Sequence, residues 1–249
     1  MDIFLVVSIA FIIAILFSML GLGGAIIYTP LFFWMGLPIL TANPMGLLLN
    51  AITTASASIN YLKQQFVRKE FAYPMGIASI FGALAGAYLA QKIEPKVLVL
   101  FLSVVLLFAG IRMLFFSNIG MSFKIDENKK MILGSSASFL IGVISSIVGI
   151  GGGTFIVPLL IILGFEIKNA VATSAFIITF MTFSGFIGHL IFGSLSLDLR
   201  ILFYAGTAAF IGAQIGSRII FRRVSSITIN RLFAIVLLFS VCKLLYGLI

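Results

Sequence analysis

From Ile3 to Leu62 the chain has no Asp, Glu, Lys or Arg. A helix that crosses the hydrocarbon core of a bilayer needs about 20 apolar residues, so this one stretch has room for up to three membrane segments. The remainder continues in kind. Of the 249 residues, 61% are hydrophobic and 9% charged, whereas soluble domains are charged at about 25% of positions. Such a chain cannot cover itself with polar side chains. A soluble enzyme and a disordered tail are excluded, and the expected class is an all-α integral membrane protein held in a lipid bilayer.

The arrangement of charge agrees. Sixteen Lys and Arg against seven Asp and Glu leave +9, which raises nucleic acid as a partner. The bases fall in short clusters between apolar runs, however, as they do in the cytoplasmic loops of membrane proteins, and no nucleic-acid partner is expected. The single cysteine, Cys242, excludes an intramolecular disulfide and a CxxC metal site; it lies in an apolar run and is expected to pack there. Met1 and Asp2 form no basic n-region and no A-x-A site follows the first run, which is therefore read as a retained membrane segment.

Glycine and proline divide the chain into ten apolar segments, near 3–20, 25–37, 45–62, 71–91, 96–116, 131–149, 153–165, 169–192, 199–221 and 227–248, with a polar loop at 117–130. The segments at 25–37 and 153–165 are too short to span comfortably and read as half-helices or re-entrant pieces.

The chain also repeats itself. Gly21-Leu22-Gly23-Gly24 recurs as Gly149-Ile150-Gly151-Gly152, 128 residues later, and the same offset aligns Pro30 with Pro158, Gly36 with Gly164 and Ala42 with Ala170. Gly82-x-x-x-Gly86 recurs as Gly212-x-x-x-Gly216 at 130. An ordered set of matches over half the chain implies a duplication: a first transmembrane repeat at 1–120, a linker at 121–130 and a second repeat at 131–249. Corresponding loops carry opposite charge bias. Lys63, Arg68, Lys69 and Glu70 give +2 where Asp198 and Arg200 give 0; Lys92, Glu94 and Lys96 give +1 where Arg218, Arg222, Arg223 and Arg231 give +4. By the positive-inside rule such loops lie on opposite sides. The expected architecture is thus two inverted repeats of five segments, both termini outside, and loops 63–70, 117–130 and 222–231 cytoplasmic.

The two Gly-rich turns, Gly21, Gly23 and Gly24 in the first half and Gly149, Gly151, Gly152 and Gly153 in the second, are the best site candidates. A helix that starts after such a turn aims free N–H groups and its positive dipole end at whatever lies before it. Two such turns meeting near the midplane would suit a small anion without a buried cation. The competing reading is close helix packing, for which glycine is common in membranes. Neither turn is a dinucleotide fingerprint, and no Walker lysine follows. No cofactor or metal is implied.

Gly149-Ile150-Gly151-Gly152-Gly153, then Pro158-Leu159-Leu160, then Ala170-Val171-Ala172-Thr173-Ser174 closely resembles the TauE/SafE family of membrane permeases. The first half is similar in weaker form: Ala25 stands for the last glycine, and Asn43-Pro44-Met45-Gly46 for an Ala-x-x-Thr-Ser run. The resemblance covers the whole chain. It implies an inner-membrane permease and export of sulfite or a small organosulfonate. Thr173 and Ser174 then offer hydroxyl donors, and Asn43, Asn50, Thr53 and Thr54 could substitute on the other side, although small hydroxyl residues in membrane helices also bond merely their own backbone.

No acid lies in the middle of a segment, so a carboxylate proton relay is not available. His189 is a candidate proton acceptor or a helix-end anchor. Arg218 either snorkels or approaches the anion. Gln214 bonds across helices or to a ligand. The GxxxG runs pack helices within the protomer, with a homodimer seam left open. The function expected is a secondary transporter for a small oxyanion; an anion channel, or a permease for a non-sulfur anion, is the alternative. A membrane-embedded enzyme lacks its motifs: there is no H-E-x-x-H, no acid pair and no Gly-x-Ser-x-Gly.

Overall fold

The structure, a computed structural model, describes residues 3–115, 126–193, 199–219 and 241–242. Those residues hold nine helices and no strand: α1 Ile3–Leu20, α2 Ala25–Trp34, α3 Ile39–Lys63, α4 Lys69–Ala90, α5 Pro95–Phe115, α6 Glu127–Val148, α7 Gly153–Ile162, α8 Ile167–Phe192 and α9 Leu199–Ile219. The tenth expected segment, 227–248, lies outside the described residues except for helical Val241 and Cys242. Helices α4, α6, α8 and α9 are long and apolar enough to cross a membrane. At 25 residues α3 is about 37 Å long, but it is more polar, and its Asn43, Asn50, Thr53, Thr54, Ser56 and Asn60 all face the interior. The surface is the reverse of a soluble protein's, with Phe81, Leu140, Ile191 and Phe203 all exposed.

Most boundaries fall where apolar runs meet Gly or Pro. Helix α3, expected from residue 45, is found from Ile39, just after Pro38. Pro44 removes one backbone donor inside the helix, yet α3 continues through it because Ala42, Asn43, Met45 and Gly46 are all buried. Helix α6 starts at Glu127, with Asp126 as its N-cap, so part of the expected linker is helical. Cys242 is exposed rather than packed.

Hairpin geometry recurs between the halves. Helices α2 and α7 have 10 residues each, about 15 Å or half the hydrocarbon core. Each ends before a glycine at φ +91°, Gly36 or Gly164. Pro38 and Glu166 then start α3 and α8 with nearly the same backbone angles.

Contacts along the helices fix their directions. A Cβ on Gly82 would run into the Phe139 carbonyl and one on Gly86 into that of Val143, so α4 and α6 are parallel. Gly212 meets Phe11 and Gly216 meets Ile15, so α1 and α9 are parallel. Both GxxxG runs are therefore used within the chain. Ser56 donates to the Phe210 carbonyl (2.8 Å) and Asn60 to Gln214 (3.1 Å), which makes α3 and α9 parallel. Thr173 meets Arg68 and Gly185 meets Leu47, so α3 and α8 are antiparallel. Gln91, just after α4, meets His189, and Phe71 near its start meets Phe165, so α4 and α8 are parallel. Helices α1, α3 and α9 run one way and α4, α6 and α8 the other. Each pair of equivalents (α1 and α6, α3 and α8, α4 and α9) is opposed.

Candidate functional site: two buried glycine turns

Helix α2 folds back along α3. Its N-terminus lies beside Asn50 at the middle of α3, and Thr29 lies against Gly46 nearer the start. The turn at 21–24 is thereby held at mid-depth of the longest first-half helix. Its counterpart at 149–152 comes to the same place from the other half. A Cβ on Gly153 would meet the backbone of Leu22, and one on Gly151 would lie 3.0 Å from the Ala25 Cβ. Hydrogen bonds cross the seam. Thr29 Oγ1 donates to the Gly149 carbonyl, Asn43 Nδ2 to the Ile147 carbonyl at 3.0 Å, and Ser174 Oγ to the Gly21 carbonyl at 3.0 Å. All seven turn glycines, with Asn43, Asn50 and Ser174, are brought together and buried. The close-packing reading of the glycines is met by this arrangement, and the same contacts bring the two turns together.

Polar groups are satisfied unequally around the two turns. On the first side, Asn50 Oδ1 accepts from the N–H groups of Gly24 and Ala25 (2.8 Å for the latter), capping α2. Tyr61 donates to the Ser18 carbonyl at 2.6 Å. The position equivalent to Asn50 beside α7 is Ile178, which has nothing to accept with. Three buried polar atoms at or just before the second turn lack a hydrogen-bond partner among the described residues: Asn50 Nδ2, Asn43 Oδ1 and Ser145 Oγ; a fourth, Ser146 Oγ, packs on Gly185 of α8. Amide orientation is set by the backbone here. Asn50 must turn its oxygen to two N–H donors, which leaves its NH2 on Gly151, 2.6 Å from where a Cβ would be. Buried polar groups are almost always paired, so three orphans at one turn call for an explanation.

Other sequence candidates lie elsewhere. Thr173 Oγ1 accepts from the Arg68 N–H at 3.1 Å and pins the α3–α4 loop. Thr53 and Thr54 donate to Leu49 and Asn50 carbonyls of their own helix. His189 is buried among α8, α6 and Gln91. Its Nε2 lies 2.9 Å from the Ser146 carbonyl, which only accepts, so Nε2 carries the hydrogen and Nδ1 accepts from Gln91 at 3.0 Å. Both ring nitrogens are engaged, and the anchor reading fits better than a proton acceptor. Gln214 bridges α9 to α3 through Asn60 and the Ser56 carbonyl (2.9 Å). Arg218 is exposed, 3.5 Å from Gln214. Neither Gln214 nor Arg218 reaches the turns.

Sequence reasoning missed Thr29, Ser145 and Ser146. Ser146 carried a signal, since it repeats Ser18 at the offset of 128. Thr29 aligns with Val157, and comparing the halves hides it.

Residues 6–244 match the family model described as sulfite exporter TauE/SafE. The chain is similar to the probable membrane transporter protein YunE of Bacillus subtilis (strain 168), 25% identical with 92% of each chain covered. It is also similar to YdhB of the same organism, a probable membrane transporter protein 27% identical over 86% of this chain and 89% of that one. A third relative is the probable membrane transporter protein ORF9 of a Sinorhizobium species, 28% identical over 84% and 79%. No solved structure matches.

Proposed function

The chain belongs to the sulfite exporter TauE/SafE family of multi-pass membrane transporters, and from that premise we propose that it is a secondary transporter exporting a small oxyanion, sulfite or an organosulfonate, across a bacterial-type inner membrane. The observation that carries the reading is the group of unpaired buried polar atoms at the second turn, beside a helix N-terminus. Unpaired amide and hydroxyl donors at a positive helix end suit a small anion. The substrate class rests on the family's description; the sites rest on the geometry.

The opposed helix directions support alternating access. If the halves are inverted repeats, rocking one against the other opens the turns to one side and then the other. The direct contacts between the turns support a closed intermediate of this cycle and disfavour a continuous channel. Of the bases whose side chains are described, Lys63, Arg68, Lys69, Lys129, Lys130, Lys168 and Arg218 lie at one end and Lys92, Lys96 and Arg200 at the other. The positive-inside rule counts Lys and Arg and makes the first end cytoplasmic. A polar cavity of about 220 Å³ opens at that end, lined by Arg68, Lys130, Glu127, Glu166 and Asn169 among others.

The test is thermal unfolding of the purified, detergent-solubilised protein with sulfite, sulfate, thiosulfate, taurine, sulfoacetate, acetate and chloride. An anion at 100 times its Kd stabilises the folded state by about 2.7 kcal/mol. A shift with sulfite or a sulfonate and saturable exchange flux in vesicles are expected. No shift with any of these anions refutes the reading. Gly151→Leu is a poor probe, because Gly151 sits at φ +80° with Asn50 against it, and a leucine there tests folding rather than binding.

A further inference from the structure

The duplicated turns suggest two equivalent anion subsites, but the side chains around them are not equivalent. We propose that the chain binds one anion, at the N-terminus of α7 alone, and that Asn50 is the side chain that reads it. This rests on the transporter reading above.

Two independent observations carry it. First, the α2 terminus is already occupied from within: Asn50 Oδ1 accepts from Gly24 and Ala25, filling the place an anion oxygen would take. Asn50 and α2 belong to one hairpin, so this cap travels with the first half whatever the second half does. At α7 the corresponding side chain is Ile178, fully buried and without an acceptor. Second, the Asn50 side chain is itself fully buried, and among the described residues its NH2 group has no partner while lying on Gly151, two residues before α7 begins. One amide therefore does two jobs. Its oxygen closes the first helix to anions, and its nitrogen presents a donor toward the second. When the halves part, an oxyanion between them accepts from Asn50 Nδ2 on one side and from the α7 terminus on the other. It bridges the halves where the turns now touch directly.

Asn50→Asp separates the two jobs. The carboxylate still accepts from Gly24 and Ala25 and caps α2, so the apo protein is expected to fold. The donor is gone and a negative charge replaces it. The shift produced by sulfite or sulfoacetate is expected to vanish, with apparent affinity at least tenfold weaker. Ile178→Asn places an amide at the equivalent position over α7 and is expected to weaken the same anions with Asn50 intact. Titration of the wild type is expected to saturate at one sulfite per chain. Retained affinity in Asn50→Asp overturns the proposal; so does unchanged affinity in Ile178→Asn or a stoichiometry of two. If Asn50→Asp does not fold, the stoichiometry and Ile178→Asn decide. If the wild type itself responds to no anion, the transporter reading fails first and this assignment falls with it.

Discussion

Thr29→Val isolates one bond between the halves. The Thr29 hydroxyl donates to the Gly149 carbonyl. That carbonyl follows the last turn of α6, and among the described residues no backbone N–H reaches it. Valine keeps the branched shape and removes only the hydrogen bond; the second half already carries valine at the equivalent position, Val157. What remains is a buried carbonyl without a partner, a loss of about 1–3 kcal/mol. For a chain of this size each kcal/mol lowers Tm by about 2–4 °C, so a central value near 2 kcal/mol predicts a fall of about 4–8 °C. Thr182→Val is the control. Thr182 is equally buried, but its hydroxyl goes to the Ile178 carbonyl of its own helix, which the helix ladder already serves. Its loss orphans nothing, and about 0.5 kcal/mol or less is expected. Both variants would be melted in the same detergent by tryptophan-independent light scattering or thiol-free dye binding. If Thr29→Val melts within 1 °C of the control, the bond does not hold the two turns together and the seam has been assigned to the wrong contacts.

Gly86→Val should lower stability by about 1–3 kcal/mol through overpacking against the Val143 carbonyl, with oligomeric mass by light scattering unchanged; a change in mass without loss of stability would make the run a dimer seam. Gln214→Leu should cost about 1–3 kcal/mol through the lost bonds to Asn60 and Ser56 while leaving any sulfite-induced shift intact; loss of that shift would bring Gln214 into the site. In a Cys242→Ser background, an impermeant maleimide applied from outside should label Lys92→Cys and not Lys69→Cys, and external labelling at residue 69 would reverse the orientation.

Much of this fold is legible before any coordinates. Charge-free runs mark the spans, and Gly-Gly and Pro mark the short helices α2 and α7 because a membrane helix gives few other reasons to break. The likeness of the α2 and α7 hairpins is legible because backbone requirements repeat: Gly21 and Gly149, Pro30 and Pro158, Gly36 and Gly164. The start of α3 is not, since Pro44 reads locally as a break and only the burial of its neighbours overrides it. Nor is the division of labour among polar residues. His189, Gln214 and Arg218 attract attention because ionisable and amide groups are rare in lipid, yet His189 and Gln214 are engaged in joining helices and Arg218 lies exposed. Asn43 and Asn50 look like two ordinary amides in a run of small residues. Which atom of each is spent on a helix end and which is left over depends on the other half of the chain.

That division follows from where these residues sit. Side chains near an axis that relates two halves compete with their own equivalents for the same space. Thr29 occupies the room a Cβ on Gly46 would need, and Gly46 is the equivalent of Ser174, which bonds Gly21 across the seam. Ala25 lies 3.0 Å from the Cβ position of Gly151, and its equivalent, Gly153, has no side chain because Leu22 is already there. At each pair one half supplies the group and the other supplies the gap: Thr29 with Val157, Asn43 with Val171, Asn50 with Ile178. Two identical repeats would make the inward-open and outward-open states mirror images of equal energy. Here each of the three bonds at the turns, from Thr29, Asn43 and Ser174, is made by a residue whose equivalent cannot make it, so parting the halves toward one side breaks a different set of bonds from parting them toward the other. On the proposed mechanism, the resting orientation of the transporter is set by these unmatched pairs, and exchanging Thr29 and Val157 between the halves is the substitution that would shift it without removing a bond-forming side chain from the chain.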